Sequence, residues 1–349
     1  ELLRGGPGLL VTFTIETYRV DPGQPPTFVV DGFNARYVPA GYIVYAVHGG
    51  LWAAPFDESR REPAGPSVAF FEDLRTAVYG VAQFTFSRDG TLVYAPGIPQ
   101  MKTFFVWVDR DGKRHPLDLP EVVHSAFDLS PDGAKLAFTV VGGTRIGEAN
   151  IFVYDFAKRT TTRVTARSVD GRPPINIYPR WSPDSTHLGY VRYTRSGVQL
   201  MWAAADGSAP PEVLWTSSSS GPTVLYPMPF SADGTVLPLF SQSIKSSYDL
   251  YWAPVDQTGR PEVDRRSLFL ATPFAEALGS LSPDGRWMVY ASDESGHYEI
   301  YATSFPKPGA IHRISRNGGR EPIWNPKGGE IVFLDGSDMY SVGVTLTPE

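Results

Sequence analysis

The fold is decided by the stretch Leu281-Ser282-Pro283-Asp284-Gly285-Arg286-Trp287-Met288-Val289-Tyr290. An apolar residue closes one run. Pro283 presets φ at the first corner of a turn, and Asp284-Gly285 supplies the second corner with a positive φ. The β-rich run from Trp287 to Tyr290 follows at once. The same phrase returns as Phe86-Ser87-Arg88-Asp89-Gly90, Leu129-Ser130-Pro131-Asp132-Gly133, Trp181-Ser182-Pro183-Asp184-Ser185, Phe230-Ser231-Ala232-Asp233-Gly234 and Trp324-Asn325-Pro326-Lys327-Gly328. The Ser or Asn positions are separated by 43, 52, 49, 51 and 43 residues. A weaker copy is Tyr37-Val38-Pro39-Ala40-Gly41, and an eighth is read at Gly5-Gly6-Pro7-Gly8, directly before Leu9-Leu10-Val11-Thr12-Phe13.

Working outward from each turn, the same grammar holds. A second run such as Leu136-Ala137-Phe138-Thr139 or Ile331-Val332-Phe333-Leu334 is followed by a third, such as Ile151-Phe152-Val153-Tyr154 or Ile300-Tyr301-Ala302. A fourth follows in several copies, as in Thr162-Arg163-Val164-Thr165. No amphipathic helix is read, and Pro273 to Gly279 has room for one helical turn at most. Four short strands repeated every 45 to 50 residues predict an all-β chain, a β-propeller of four-stranded antiparallel blades. Eight repeat units are favoured over seven, within a single domain over 1–349. The units are approximately 1–32, 33–80, 81–122, 123–170, 171–222, 223–273, 274–317 and 318–349.

Composition narrows the function. The chain has 349 residues, 42% hydrophobic and 19% charged, with a net charge of −6. That balance argues against a nucleic-acid binder relying on a basic surface. Cysteine is absent, which removes a disulfide framework, a thiolate metal site and a cysteine nucleophile. No apolar run approaches the length of a membrane span, and Glu1-Leu2-Leu3-Arg4-Gly5 lacks the basic start and apolar run of a signal peptide. Gly-x-Ser-x-Gly, His-Glu-x-x-His and the Walker A pattern are all missing. Asp109-Arg110-Asp111-Gly112 opens like a calcium loop but lacks the downstream Glu spacing, and reads as a hairpin turn.

The Ser-Pro-Asp-Gly phrase between an aromatic-ended strand and a Leu-x-Phe/Tyr strand resembles the TolB-like propeller repeat. Three further strings go beyond it: Arg36 to Tyr45 with Gly50 to Asp57, Ser282 to Trp287 with Ser292-Asp293-Glu294-Ser295-Gly296, and Phe305-Pro306. Together they resemble the extracytoplasmic propeller that follows the kinase domain in many bacterial serine/threonine protein kinases. The resemblance implies a sensing or scaffolding module on the periplasmic or extracellular side of a bacterium; a monomer is expected. No kinase motif is present, so it implies no catalysis by itself.

The recurring turn carboxylates Asp89, Asp132, Asp184, Asp233 and Asp284 are expected to fix their own turns. Asn150, Gln199, Asp249 and Glu299 open third strands in phase and are expected to bridge strands or blades. The candidate site lies five or six residues before each turn. There the innermost strands of a propeller converge on one mouth of the axial channel. That reading gives Asn34, Gln83, His124, Tyr178, Tyr226, Glu276 and Glu321 as a ligand-binding ring for a small molecule, protein or peptide. Within it His124, Glu276 and Glu321 form a candidate metal set for a divalent ion, Zn²⁺ or Ca²⁺. The alternative reading is therefore a metal-dependent hydrolase of lactones, phosphate esters or carboxylic esters. A polar channel holding no ion is the simplest use of the same residues.

Overall fold

The computed structural model describes residues 9–13, 16–38, 40–47, 50–72, 74, 84–86, 91–96, 104–109, 111–119, 124–141, 149–165, 175–194, 197–218, 222–242, 248–336 and 338–345. These fall into two compact units. The smaller spans Glu1–Val123 with Gly142–Gly147, and the larger His124–Val141 with Glu148–Glu349.

The smaller unit opens with a meander of Leu9–Phe13, Glu16–Val20 and Thr27–Asp31. Phe33–Val38, Tyr42–Val47 and Gly50–Asp57 then form a sheet, with Glu62–Pro63 and Val68–Glu72 both paired to its third strand. Two hairpins complete the described part: Phe84–Phe86 with Leu92–Tyr94, and Val106–Val108 with Arg114–Pro116.

The larger unit holds five antiparallel sheets in sequence. The first is His124–Leu129, Lys135–Val141, Ala149–Asp155 and Thr160–Arg163. The second is Ile175–Trp181, His187–Thr194, Gly197–Ala204 and Glu212–Thr216, touching the first through one parallel pairing of Ala149 with Ile175. The third is Val224–Pro227, Val236–Gln242, Tyr248–Pro254 and Ser267–Leu270. The fourth is Glu276–Leu281, Trp287–Ser292, Glu299–Ser304 and His312–Arg313. The fifth has three strands, Arg320–Trp324, Glu330–Asp335 and Asp338–Gly343. Among the described residues the one helical element is the turn Val263–Arg265. The segment read as room for a helical turn instead starts the first strand of the fourth sheet.

The second strands of the first four sheets of the larger unit are buried along both faces. In the fourth sheet Met288 and Tyr290 face the third sheet's Phe240, Leu250 and Phe269, whereas Val289 and Ala291 face the fifth sheet's Trp324, Ile331 and Phe333. Successive side chains point to opposite faces, so burial of both faces gives a continuous apolar run, not an alternating one.

The recurring turns are built alike. The Ser130, Ser182, Ser231 and Ser282 hydroxyls donate to the aspartate two residues on, at 2.5 to 2.6 Å. Each hydroxyl also accepts a backbone N–H five residues on, from Lys135, His187, Val236 and Trp287. The aspartates accept a further backbone N–H, and these bonds, led by the Ser hydroxyl, hold Asp132, Asp233 and Asp284 below the usual carboxylate range. For Asp184 burial is the largest influence and acts upward, but bonds from Ser182 and Thr186 outweigh it.

The turn ends also tie neighbouring sheets together. Asp128 accepts the backbone N–H of Trp181 at 2.9 Å, and its carbonyl accepts the indole N–H at 3.0 Å. Ser280, in the same phase as Asp128, accepts the backbone N–H of Trp324 and donates to the Pro322 carbonyl.

Candidate functional site

In these sheets the start of the first strand, the end of the second and the start of the third lie at one end, opposite the Ser-Asp turns. We call it the leading end. The first strands do not reach it regularly. Register breaks fall between His124 and Phe127, Ile177 and Arg180, Ala277 and Gly279, and Arg320 and Ile323. Three residues at these breaks adopt left-handed backbone: Tyr178 at φ +58°, Leu278 at +50° and Glu321 at +51°. In the smaller unit Asn34 does the same at +53°, in a break between Phe33 and Arg36. Such bulges re-aim a side chain at the cost of backbone strain.

The bulges correct the expected ring. Asn34, Tyr178 and Glu321 occupy the bulged position, but in the fourth sheet that position belongs to Leu278. Glu276 and His124 sit two residues further from the turn than the bulged phase, and Tyr226 one residue further. One inserted residue shifts the alternation, so counting back from the turn mixes faces. Asn34 lies in the smaller unit, Gln83 and the side chain of His124 lie outside the described residues, and Glu321 is exposed.

Of the expected set, the structure joins Tyr178 and Tyr226 directly, with ring centroids 5.2 Å apart and edge-to-face. The Tyr226 and Tyr193 hydroxyls are 2.8 Å apart. Tyr226 stacks on Phe240 at 4.7 Å, and Phe240 meets Tyr248 at 5.8 Å. Burial is the main reason the Tyr226 phenol is pushed well up, with Tyr193, Tyr178 and Tyr248 adding to it.

In the fourth sheet the same end carries Glu276. It is 1% exposed, its carboxylate accepts the Thr272 hydroxyl in a short bond, and it also accepts the Thr272 N–H at 3.2 Å. Burial raises its pKa, and the nearby Asp249 and Asp293 charges push the same way against the Thr272 bonds. Asp293 accepts the Ala275 N–H at 2.8 Å. The Tyr298 phenol is raised by burial and by Asp293, Tyr248 and Glu276, and lowered by Arg320, whose guanidinium lies 4.1 Å from the centre of its ring.

Among the described residues no three His, Asp or Glu side chains gather as a metal site. Glu276 turns to Thr272 and is not gathered with Glu321 in such a group. Nothing in the described geometry supports a metal centre or hydrolytic chemistry. Of the four residues expected to bridge from third-strand starts, Asn150 and Glu299 do so. Asn150 accepts the Thr165 hydroxyl, and Glu299 accepts Ser315, Arg313 and one His297 ring nitrogen. Burial opposes the charge on Glu299, but Ser315, Arg313 and the Gly318 N–H together hold its pKa below the usual value. Asp109 accepts the N–H groups of Asp111 and Lys113, as a hairpin turn requires.

Known structures place this architecture. TolB from Acinetobacter baumannii superposes on 86% of this chain and 75% of its own, with a TM-score of 0.53 and 13% identity. A structure assigned to TolB from Agrobacterium tumefaciens covers 65% of this chain and 75% of its own, at a TM-score of 0.53 and 18% identity. The fold is that of a β-propeller. No family model and no curated protein matches the sequence.

In this propeller, sequence reasoning missed Tyr193, Tyr248, Asp293, Tyr298 and Arg320. They lie at second-strand ends, at third-strand starts and next to a bulge, whereas the phase of the turns marks first strands alone. The usable signal was antiparallel order, which returns second-strand ends to the leading end.

Proposed function

We propose that the chain is a ligand- or protein-binding propeller, a sensor or scaffold without turnover, working at the leading ends of the larger unit's sheets. One observation carries the reading. Those ends differ from sheet to sheet: in the second and third sheets they bring Tyr178, Tyr193 and Tyr226 into one half-buried cluster, and in the fourth the same end carries the buried Glu276. The second sheet adds a buried Arg192, which donates to Asn176 and to the Tyr190 hydroxyl. Aromatic side chains with a few placed polar groups suit recognition, because they offer large rigid contact at low entropic cost. The likeness to kinase-associated propellers supports placing this work outside the cytoplasm of a bacterium, on one domain over 1–349.

The test is a thermal-shift and calorimetric panel of peptides and small molecules, run beside a panel of ester, lactone and phosphate-ester substrates. We expect binders whose affinity falls in Tyr178→Ala, and no turnover. Saturable turnover that survives repurification overturns the reading, as do binders indifferent to every leading-end substitution.

A further inference from the structure

We infer that the space between the first and second sheets, toward their leading ends, takes a carboxylate held by Arg192. This names a ligand chemistry for the binding reading above and rests on it.

The first argument is a positive charge that the chain does not answer. Arg192 lies in the strand His187–Thr194 and is 8% exposed. Its Nε donates to the Asn176 Oδ1 at 3.0 Å, and its Nη2 donates to the Tyr190 hydroxyl at 2.9 Å. Both acceptors are neutral, and among the described residues no carboxylate pairs with this guanidinium. A guanidinium stays charged and carries five N–H donors, so three remain to be given. None of its nitrogens is both sealed from solvent and without a partner, so Nη1 stays within reach from outside. A buried charge without a counter-charge is costly, and a carboxylate on the guanidinium fork removes that cost.

The second argument is the set of donors around it. Ala137 and Ile151 of the first sheet share a core with Tyr190 and Trp181 of the second. Thr139 stands two residues after Ala137 and pairs with Ile151, which places it on the same face, toward the second sheet. It is fully buried and its hydroxyl has no partner. Arg192 stands two residues after Tyr190 and so faces back toward the first sheet. Asn176, also fully buried, donates to the Ala149 carbonyl at 3.2 Å and ties the two sheets together here. The Tyr190 hydroxyl accepts from Arg192 and keeps its own proton to donate. Burial pushes that phenol up to about 12, against the pull of Arg192, so the proton is present at neutral pH. Guanidinium, phenol and Thr139 hydroxyl are thus all donors in want of one acceptor. A single guanidinium matches a single negative charge, which suits a carboxylate better than a phosphate dianion.

The test is thermal unfolding of the whole chain with sodium acetate, sodium chloride and neutral acetamide, at one ionic strength. Acetate should raise the midpoint saturably, and the other two should not. Arg192→Lys keeps the charge but loses the fork, and should weaken acetate about tenfold, the loss of one charge-assisted hydrogen bond. Thr139→Val keeps the shape and removes the unpaired hydroxyl. Without acetate it should be at least as stable as the parent, and with acetate it should gain less. A purely structural hydroxyl would not give that split, and the split decides the matter even where Arg192→Lys does not fold. Acetyl-Gly-Gly and its amide separate the sources: tighter binding of the free acid than of acetate supports a peptide chain end, and its failure to bind beside acetate supports a small free acid. An acetate effect equal to that of chloride or acetamide overturns the inference, as does an acetate gain unchanged in Thr139→Val and Arg192→Lys. If acetate is without effect while a neutral ligand binds and Tyr178→Ala weakens it, the carboxylate assignment fails and the binding reading stands.

Discussion

At the turn ends of the larger unit, Ser130, Ser182, Ser231 and Ser282 repeat one set of bonds with almost one set of distances. At the leading ends, the bulged position is tyrosine in one sheet, leucine in another and glutamate in a third. Both ends belong to the same strands and share the same interior. The difference separates two demands. A turn that must reverse the chain in the same space every time has one economical solution. A surface that meets something outside the fold has no reason to repeat. In a repeat protein, regularity therefore marks construction, and departure from it marks the place to look for function.

The largest effect that could break this comparison lies on the turn side. Trp181 is 3% exposed, packs in the core between the first two sheets and donates its indole N–H to Asp128. Trp181→Ala should cost about 3–5 kcal/mol in a denaturant titration. Next comes Ser282→Ala, which strips Asp284 of a donor and the Trp287 N–H of its acceptor at a buried serine. Its cost should be about 1–3 kcal/mol. By contrast Glu321→Ala, on an exposed leading-end residue, should leave the unfolding midpoint unchanged. A Glu321→Ala loss as large as that of Ser282→Ala would erase the distinction between the ends.

Acid sharpens it further. Asp132, Asp233 and Asp284 have lowered pKa values in the fold. They stabilise it above the ordinary carboxylate range, and that contribution is lost as pH falls through their lowered values. Glu276 is raised, so the sign reverses: its contribution is present at low pH and lost as pH rises through its folded value. Glu276→Gln should therefore be at least as stable as the parent at neutral pH, with the gap closing in acid. Asp284→Asn should lower stability at neutral pH and flatten the acid limb. Thermal unfolding from pH 3 to 8 reads both. A Glu276→Gln protein that is weaker than the parent at pH 7 would mean the carboxylate is wanted charged.

Much of the fold was legible because the turn chemistry is local. Pro283 and Asp284-Gly285 announce their corner without help from distant residues, and the apolar runs after each turn announce strands buried on both faces. The sequence also reads strands at 9–15, 17–20 and 27–30, and the structure has them at Leu9–Phe13, Glu16–Val20 and Thr27–Asp31. The segment before Glu276 was harder, because Pro273-Phe274-Ala275 carries no alternation to mark where a strand begins. The site was half legible. Tyr178 and Tyr226 were found by phase, while Glu276 was assigned to a position that Leu278 holds.

The all-β class and the self-contained Ser-Asp turns are written in the chain, since each turn depends on residues within about five positions of one another, and their recurrence marks the repeat. Only the tertiary structure decided which side chains meet at the leading ends. Bulges such as those at Tyr178 and Leu278 break the two-residue alternation, and sheet stacking sets Tyr226 against Tyr193 across 33 residues. Neither effect is written in the local pattern, because both arise from how one sheet must bend to lie against the next.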